Sequence, residues 1–430
     1  MEFLLLCMGI PLGLLVGLLP GLGASVTLIL VYPFIEHMSF DLLLAFYAVF
    51  ITSTQFSGSV IALWVGLPGE VTSMPVLKER PGILANSQLN VALRRTAIGS
   101  ASAAVLSLFA VGLIFFVGFE FFFLLRTEII ALILFAMLGI GVFWGSNKLS
   151  INTILVVLGV ILSNVGYQSY NNSEFLTFGQ SWLYGGIPFI PALLGMYAVP
   201  ALLELLKNNF SVDMAVKDHS RVTSDPLLLP ILRGSAIGFV LGLVPLIGVI
   251  ISSTMSHYAE SKLRFSTSLS RITAAESANN AAVVSVLVPL LVYGIAIQPS
   301  EAIILSILHN NLWTIQHIST FTFVLGFFCI LTSVAVCYML CTHYAEQMVL
   351  MIKNHKNLVF ASIVSLLIFN IFYLGTQTSM GVYYLATFLI FLLTGGIAKW
   401  LRIDLIPLVF MFVVGNYIVS TFVRLHQMYF

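Results

Sequence analysis

The sequence predicts an all-α, polytopic transmembrane bundle with two internal repeats, broken helices and helical hairpins. Three observations predict it. Of 430 residues, 59% are hydrophobic and only 8% are charged, where a soluble domain carries about 25% charged residues; mean hydropathy is +1.05. The apolar runs are long and continuous, which suits membrane helices and not the alternating strands of a barrel. A pattern of glycines and one proline recurs 225 residues later.

That recurrence organises the chain. Gly9, Gly13, Gly17, Pro20 and Gly23 are matched without a gap by Gly234, Gly238, Gly242, Pro245 and Gly248. Glycines four apart lie on one helix face and let a second backbone approach closely, so the first three of each set read as a packing surface. Pro20-Gly21-Leu22-Gly23 reads differently. Proline removes a donor and clashes with the preceding turn, and the glycines free the backbone. Broken backbone at membrane depth is tolerated where it is buried in protein or lines a watery cavity. Matching breaks in two halves point to a transporter binding site. The expected organisation is a first repeat over 1–206, a polar connection over 207–228 and a second repeat over 229–430, with the repeats expected to be inverted.

Taken in order, residues 3–19 form the first apolar helix, expected to be retained because Met1 to Leu19 has no basic n-region. Residues 22–35 are short for a span, which needs about 20 residues, and read as the returning arm of a hairpin. A long helix over 41–66 ends at Leu67-Pro68-Gly69-Glu70. A polar segment follows at 71–95, then helices at 96–118, 126–145, 151–166 and 186–206, with a polar surface loop at 167–184. The second half has helices near 231–250, 268–294, 299–318, 320–345, 357–375, 380–398 and 404–424. The basic segment 78–95 and the Lys353/Lys356 and Lys399/Arg402 turns are candidate cytoplasmic loops.

Net charge is +1, which implies no nucleic-acid partner. The four cysteines (Cys7, Cys329, Cys337, Cys341) lack zinc spacing and read as small packing residues. No phosphate loop, H-E-x-x-H or nucleophile elbow is present, so an enzyme has no positive support.

Two polar clusters interrupt the apolar helices. Thr52 to Ser59 contains Thr54, Gln55, Ser57, Gly58 and Ser59, which serve either interhelical hydrogen bonds or a ligand- or cation-lining surface. Glu276-Ser277-Ala278-Asn279-Asn280 is costly in an apolar stretch unless partnered. Its carboxylate and amide oxygens suit a small hard cation, and its amide N–H groups suit a carboxylate solute; a polar packing network is the alternative. On the same 225-residue shift, Asn279 and Asn280 fall on Thr54 and Gln55. Glu70 stays open between an interfacial and a functional carboxylate. His309, Asn310, Asn311, Gln316 and His317 read as a buried hydrogen-bonding patch or a proton relay.

The substrate-binding candidates are Pro20, Gly21, Leu22, Gly23, Ser57, Gly58, Ser59, Pro68, Gly69, Pro245, Gly248, Asn279, Asn280 and Gly294. The coupling-ion candidates are Thr54, Gln55, Glu276, Asn279 and Asn280, for sodium or a proton, with no other cofactor.

These residues resemble a known family. Pro20-Gly21-Leu22-Gly23, Gly58-Ser59, Leu67-Pro68-Gly69-Glu70, Arg233-Gly234 with its glycine ladder, and above all Glu276-Ser277-Ala278-Asn279-Asn280-Ala281 are similar in kind and order to the large membrane subunit of tripartite tricarboxylate transporters, the TctA family, over about residues 9–300. The resemblance implies a multi-pass protein of the bacterial inner membrane. It implies a small membrane subunit and a periplasmic solute-binding protein as partners. It implies secondary uptake of di- or tricarboxylates driven by an ion gradient. The sequence departs from the family at Pro245-Leu246-Ile247-Gly248, where Pro-Gly-x-Gly is usual, and at Ala296, where a proline is usual. Those departures keep other readings in view: a membrane scaffold that has lost the coupling site, a carrier of a non-carboxylate solute, or a channel. A homo-oligomer is left open.

Overall fold

In the computed structural model the described residues are 2–19, 22–118, 126–143, 147–168, 170–200, 203, 226–310, 319–376 and 380–429. Pro20 and Gly21, nearly all of the 207–228 connection, and Asn311, Gln316 and His317 lie outside them, as do the side chains of His309 and Asn310.

The first half opens with α1 (Glu2–Leu18), α2 (Ala24–Ile35) and α3 (Phe40–Trp64). A 3-10 turn (Val71–Ser73) then leads into α4 (Met74–Ala85) and α5 (Leu89–Leu113). Next come α6 (Arg126–Val142), α7 (Leu149–Ser163), a β-hairpin (Gly166–Gln168 with Ser173–Phe175) and short α8 (Phe189–Leu193), which runs into a π turn (Leu194–Ala198). The second half holds α9 (Leu228–Gly242), α10 (Gly248–Ser261), α11 (Ser268–Ser285) and a π turn (Pro289–Tyr293). It continues with α12 (Pro299–Asn310), α13 (Thr320–His343), α14 (Ala345–Asn354), α15 (Lys356–Thr376), α16 (Gly381–Leu401) and α17 (Ile406–Tyr429).

Seven helical stretches among the described residues are long and apolar enough to cross a membrane: 40–64, 89–116, 268–293, 320–343, 356–373, 381–401 and 406–427. α2 is too short to span, as expected for a hairpin arm. The polar segment 71–95 proves largely helical, with α5 beginning at Leu89 instead of near residue 96. Its Arg80 explains part of this: the guanidinium donates to Leu63 O at 2.8 Å and Trp64 O at 3.2 Å, covering the open carbonyls at the end of α3 and holding α4 beneath it. The polar 167–184 loop contains the β-hairpin. The 231–250 helix is interrupted at 243–247, and α10, unplaced by hydropathy, follows. α10 has four serines, a histidine and a glutamate in fourteen residues, so no apolar run announced it.

The glycines fix the centre of the bundle. α1 packs on α3, and α9 packs on α11. A Cβ placed on Gly13 would stand 2.6 Å from Phe50 O, and one on Gly17 2.2 Å from Thr54 O. On Gly238 it would stand 2.1 Å from Ala278 O, and on Gly242 2.2 Å from Ser285 Oγ. In both pairs only a hydrogen in place of a side chain permits the approach. α3 is buried along its whole apolar window, and the 268–293 stretch along nearly all of its own. A membrane helix shielded on every side can carry polar groups that lipid would forbid. These two helices carry the two polar clusters.

The halves also interlock. α3 packs on α13, and α5 packs on α11. α2 packs on α12, while α10 packs on the 71–73 turn and α4. The broken arm of each half is therefore seated against the loop-and-helix that follows the central helix of the other.

Candidate functional site

That cross-packing brings four interruptions of the chain to one cleft of about 590 Å³. Its wall includes Gly23–Ser25 before and into α2, Pro68–Thr72 after α3, Leu246 and Val249 around the start of α10, and Gln298–Ser300 at the start of α12. Three helices therefore begin at the cleft, and helix beginnings present unsatisfied N–H groups and the positive end of the backbone dipole. Such ends attract anions without a basic side chain. Among the described residues lining this cleft there is no Lys, Arg or His.

Local chemistry holds each break open. Gly23 is extended ahead of α2, with its carbonyl accepting from Thr27 N at 3.2 Å. Leu246 has φ of +65° and donates its N–H to Ile297 O at 2.9 Å, so the break before α10 is pinned to the loop before α12. That conformation is unusual for a branched side chain, and the cross-loop hydrogen bond holds it. A Cβ on Gly69 would stand 2.3 Å from Gly17 O and 2.7 Å from Gly58 Cα. Three glycines thus meet where the loop after α3 tucks between α1 and α3.

Polar groups of α3 reach the cleft through one chain of hydrogen bonds. Gln55 Nε2 donates to Glu70 Oε2 at 3.0 Å, Thr72 Oγ1 donates to Gln55 Oε1 at 3.3 Å, and Ser253 Oγ donates to Thr72 O at 2.8 Å. The last of these links α10 to the first half.

The polar cluster of α11 lies elsewhere. Asn280 Nδ2 donates to Ser100 Oγ on α5 at 2.7 Å and to Glu276 O at 3.1 Å, and Ser100 Oγ stands 3.4 Å from Glu276 Oε2. Glu276, Asn279 and Asn280 are all essentially inaccessible. Glu276 Oε1, Asn279 Oδ1 and Asn280 Oδ1 have no hydrogen-bond partner among the described residues. Three buried acceptor oxygens left over are an unmet demand for a donor or a cation, because an unpaired polar atom is costly here.

Of the candidates named from sequence, Gly23, Gln55, Pro68 and Gly69 line the cleft, together with Glu70. Leu22 is buried just before it. Pro245 and Gly248 flank the lining residue Leu246 and the first turn of α10. Asn279 and Asn280 sit with Glu276 and not on the cleft wall. Thr54, Ser57 and Ser59 return their hydroxyls to carbonyls of their own helix, at 2.9, 3.4 and 3.2 Å, and Gly58 faces the incoming loop. Gly294 adopts φ +67° at the end of the π turn and borders a separate cavity of about 290 Å³ beside Gln168 and Asn416.

Residues not singled out from the sequence also matter. Ser300 Oγ lines the cleft and is 3.0 Å from Tyr47 Oη. Glu301 Oε2 accepts from Ile297 N at 2.7 Å and Gln298 N at 3.1 Å. Pro299 and Glu301 in a first turn are an ordinary helix-start signal that was there to be read. Ser100 had no signal, being one hydroxyl among several in a small-residue helix.

Outside the spans, Glu79 on α4 holds the halves together. Arg271 Nε and Nη2 donate to its two oxygens at 2.8 Å each, and His257 Nε2 lies 2.8 Å from Oε1. Burial works to raise the Glu79 carboxyl, but hydrogen bonds from Arg271, Ser268 and His257 overcome it and hold the group at about 2. Nearby, Arg233 forms a two-pronged pair with buried Glu260, both bonds 2.9 Å.

A multi-pass helical membrane protein with a cleft built from chain breaks is the architecture of a membrane transport protein. Comparison with known proteins makes the assignment specific: residues 3–410 match the Tripartite tricarboxylate transporter TctA family, and the chain belongs to that family, which is one of transporters and not of enzymes. It is 29% identical over 317 residues to an "Uncharacterized 52.8 kDa protein in TAR-I ttuC' 3'region" of Agrobacterium vitis. That alignment covers 69% of this chain and 61% of the relative, so the chain spans under two thirds of the relative's length. No solved structure matches.

Proposed function

We propose that this chain is the large membrane subunit of a secondary transporter that takes up carboxylates, driven by a sodium or proton gradient. It works in a bacterial inner membrane beside a small membrane subunit and a periplasmic solute-binding protein. The observation that carries this reading is the meeting of four chain breaks in one cleft, with helix N-termini and, among the described residues, no basic side chain on its wall. Gly23, Pro68, Gly69, Leu246, Gln298 and Ser300 hold the solute. Glu276, Asn279 and Asn280, with Ser100, hold the coupling ion.

Two repeats, 1–206 and 229–430, joined through 207–228, account for the reciprocal packing. The 225-residue shift carries α1 onto α9, α3 onto α11, and α4 (74–85) onto α12 (299–310). The glycine contacts keep that register: Gly13 meets Ser53 and Thr54, and Gly238 meets Ala278. Inversion of the repeats fits a site at the midplane.

The test is uptake of labelled carboxylates into proteoliposomes carrying the chain, its small subunit and the binding protein, with and without an inward sodium gradient at fixed pH. Saturable uptake that follows a sodium or proton gradient is the expected result. Absence of uptake under either gradient would remove the transport reading and favour a scaffold.

A further inference from the structure

The loop before α12 already holds a carboxylate. Glu301 Oε2 accepts both the Ile297 and Gln298 N–H groups, at 2.7 and 3.1 Å. These are the groups that a helix beginning offers to an anion. A glutamate reaching back to the start of its own helix is a common cap on exposed helices. Two features set this one apart. Glu301 is fully buried, and its Oε1 has no hydrogen-bond partner among the described residues. Its immediate neighbours Gln298, Pro299 and Ser300 form one wall of the cleft.

The corresponding loop after α3 differs. Shifted back by 225 residues, Glu301 falls on Val76, which is apolar and buried. The loop after α3 therefore receives no carboxylate from that position. The cleft is also acidic for a polyanion carrier. Among the described lining residues the one ionisable group is Glu70, and the rest is largely apolar, with Ile51, Met74, Leu246, Val249 and Ile250. A di- or tricarboxylate entering here would find the N–H groups before α12 already occupied by Glu301 and, among the described lining residues, no counter-charge.

We infer that Glu301 takes the place of one solute carboxylate, so that the cleft selects a monocarboxylate with an apolar body over di- and tricarboxylates. This rests on the carboxylate-carrier reading above. A single carboxylate lies at the Gly23 and Val71–Thr72 side of the cleft, and its apolar body lies along Ile51, Val249 and Ile250.

The test is direct titration of the full chain in lipid nanodiscs with hexanoate, benzoate, succinate and citrate, for the parent protein and for Glu301→Gln and Glu301→Ala. Hexanoate or benzoate is expected to bind at least about tenfold more tightly than succinate or citrate, the scale of hydrogen bonds denied to a second carboxylate. Glu301→Ala vacates the N–H groups and is expected to raise succinate affinity by about tenfold or more. Glu301→Gln keeps an acceptor oxygen without the charge, and narrows the preference without opening a cavity. Succinate or citrate binding to the parent as tightly as the monocarboxylates would overturn the inference and leave the carrier reading standing. An unchanged preference in folded Glu301→Ala would remove Glu301 from selectivity. If no carboxylate of either kind binds the parent, the carrier reading fails and the inference with it. Should both variants fail to fold, the parent's ranking of the four acids decides alone.

Discussion

Ser100 on α5 accepts a hydrogen bond from Asn280 at 2.7 Å and lies 3.4 Å from the Glu276 carboxylate, so one hydroxyl joins the two polar anchors of α11. Helix α5 belongs to the first half and α11 to the second. An ion held by Glu276 and Asn280 would thus feel a shift of one half against the other.

Replacing the anchors tests that coupling. Asn279→Ala and Asn280→Ala are expected to abolish gradient-driven uptake while the protein still reaches the membrane. Ser100→Ala is expected to weaken ion dependence by about tenfold, the scale of one hydrogen bond to a charged group. Ion-dependence curves in proteoliposomes check both. Normal uptake by both asparagine variants would sink the assignment.

The Gln55–Glu70 bond makes a separate prediction for the cleft. Gln55→Ala leaves the Glu70 carboxylate without its 3.0 Å donor and Thr72 without an acceptor. Solute affinity is expected to fall by about 2 kcal/mol, within the range for hydrogen bonds to charged groups. Gln55→Glu is expected to be worse, because it sets two carboxylates side by side. Titration of the purified variants reads both effects, and parent-like affinity in Gln55→Ala would separate Glu70 from binding.

The glycine contacts predict where a methyl is fatal. Gly238→Ala drives a Cβ to 2.1 Å from Ala278 O, and Gly17→Ala to 2.2 Å from Thr54 O. Each is expected to lower stability by about 1–3 kcal/mol or more, the usual cost of overpacking. Gly23→Ala meets no atom within 4 Å and has an ordinary negative φ, so its thermal midpoint is expected to stay near the parent's. Equal midpoints for all three would refute the close approach.

Acid stability tests the Glu79 lock. The folded carboxyl is held at about 2, below its ordinary value of 4.5. A group depressed by folding stabilises the protein above its unfolded value, and that contribution is lost as pH falls from about 4.5 toward 2. The parent is expected to lose thermal stability over that window. Glu79→Gln is expected to start lower and to change less across it. Parallel curves would show that the Arg271 and His257 contacts contribute little.

Much of this protein was legible before any coordinates. Charged content and apolar runs declare a helical membrane protein, because hydrocarbon admits little else. The glycine ladders announced close helix pairs, and α1 on α3 and α9 on α11 are those pairs. Pro68-Gly69 and Gly23 announced interruptions, and both reach the cleft. Less was legible where polarity hid a helix: α4 fell within a polar segment and α10 went unplaced, because neither offers an apolar run. Ser57 and Ser59 looked like ligands, since composition cannot tell a hydroxyl facing a cavity from one bonded to its own helix.

The sequence by itself determined the class of protein, the order of its apolar helices, where the chain must break and which residues are too polar to face lipid. These are local consequences of side-chain polarity and backbone freedom, repeated along the chain. Only the tertiary structure decided which breaks meet. It placed Gln298 and Gly23 on one cleft, set Ser100 between Glu276 and Asn280, and turned Glu301 onto the N–H groups of its own loop. Such meetings depend on how helices far apart in the chain pack against one another, and no short stretch of sequence encodes that distance.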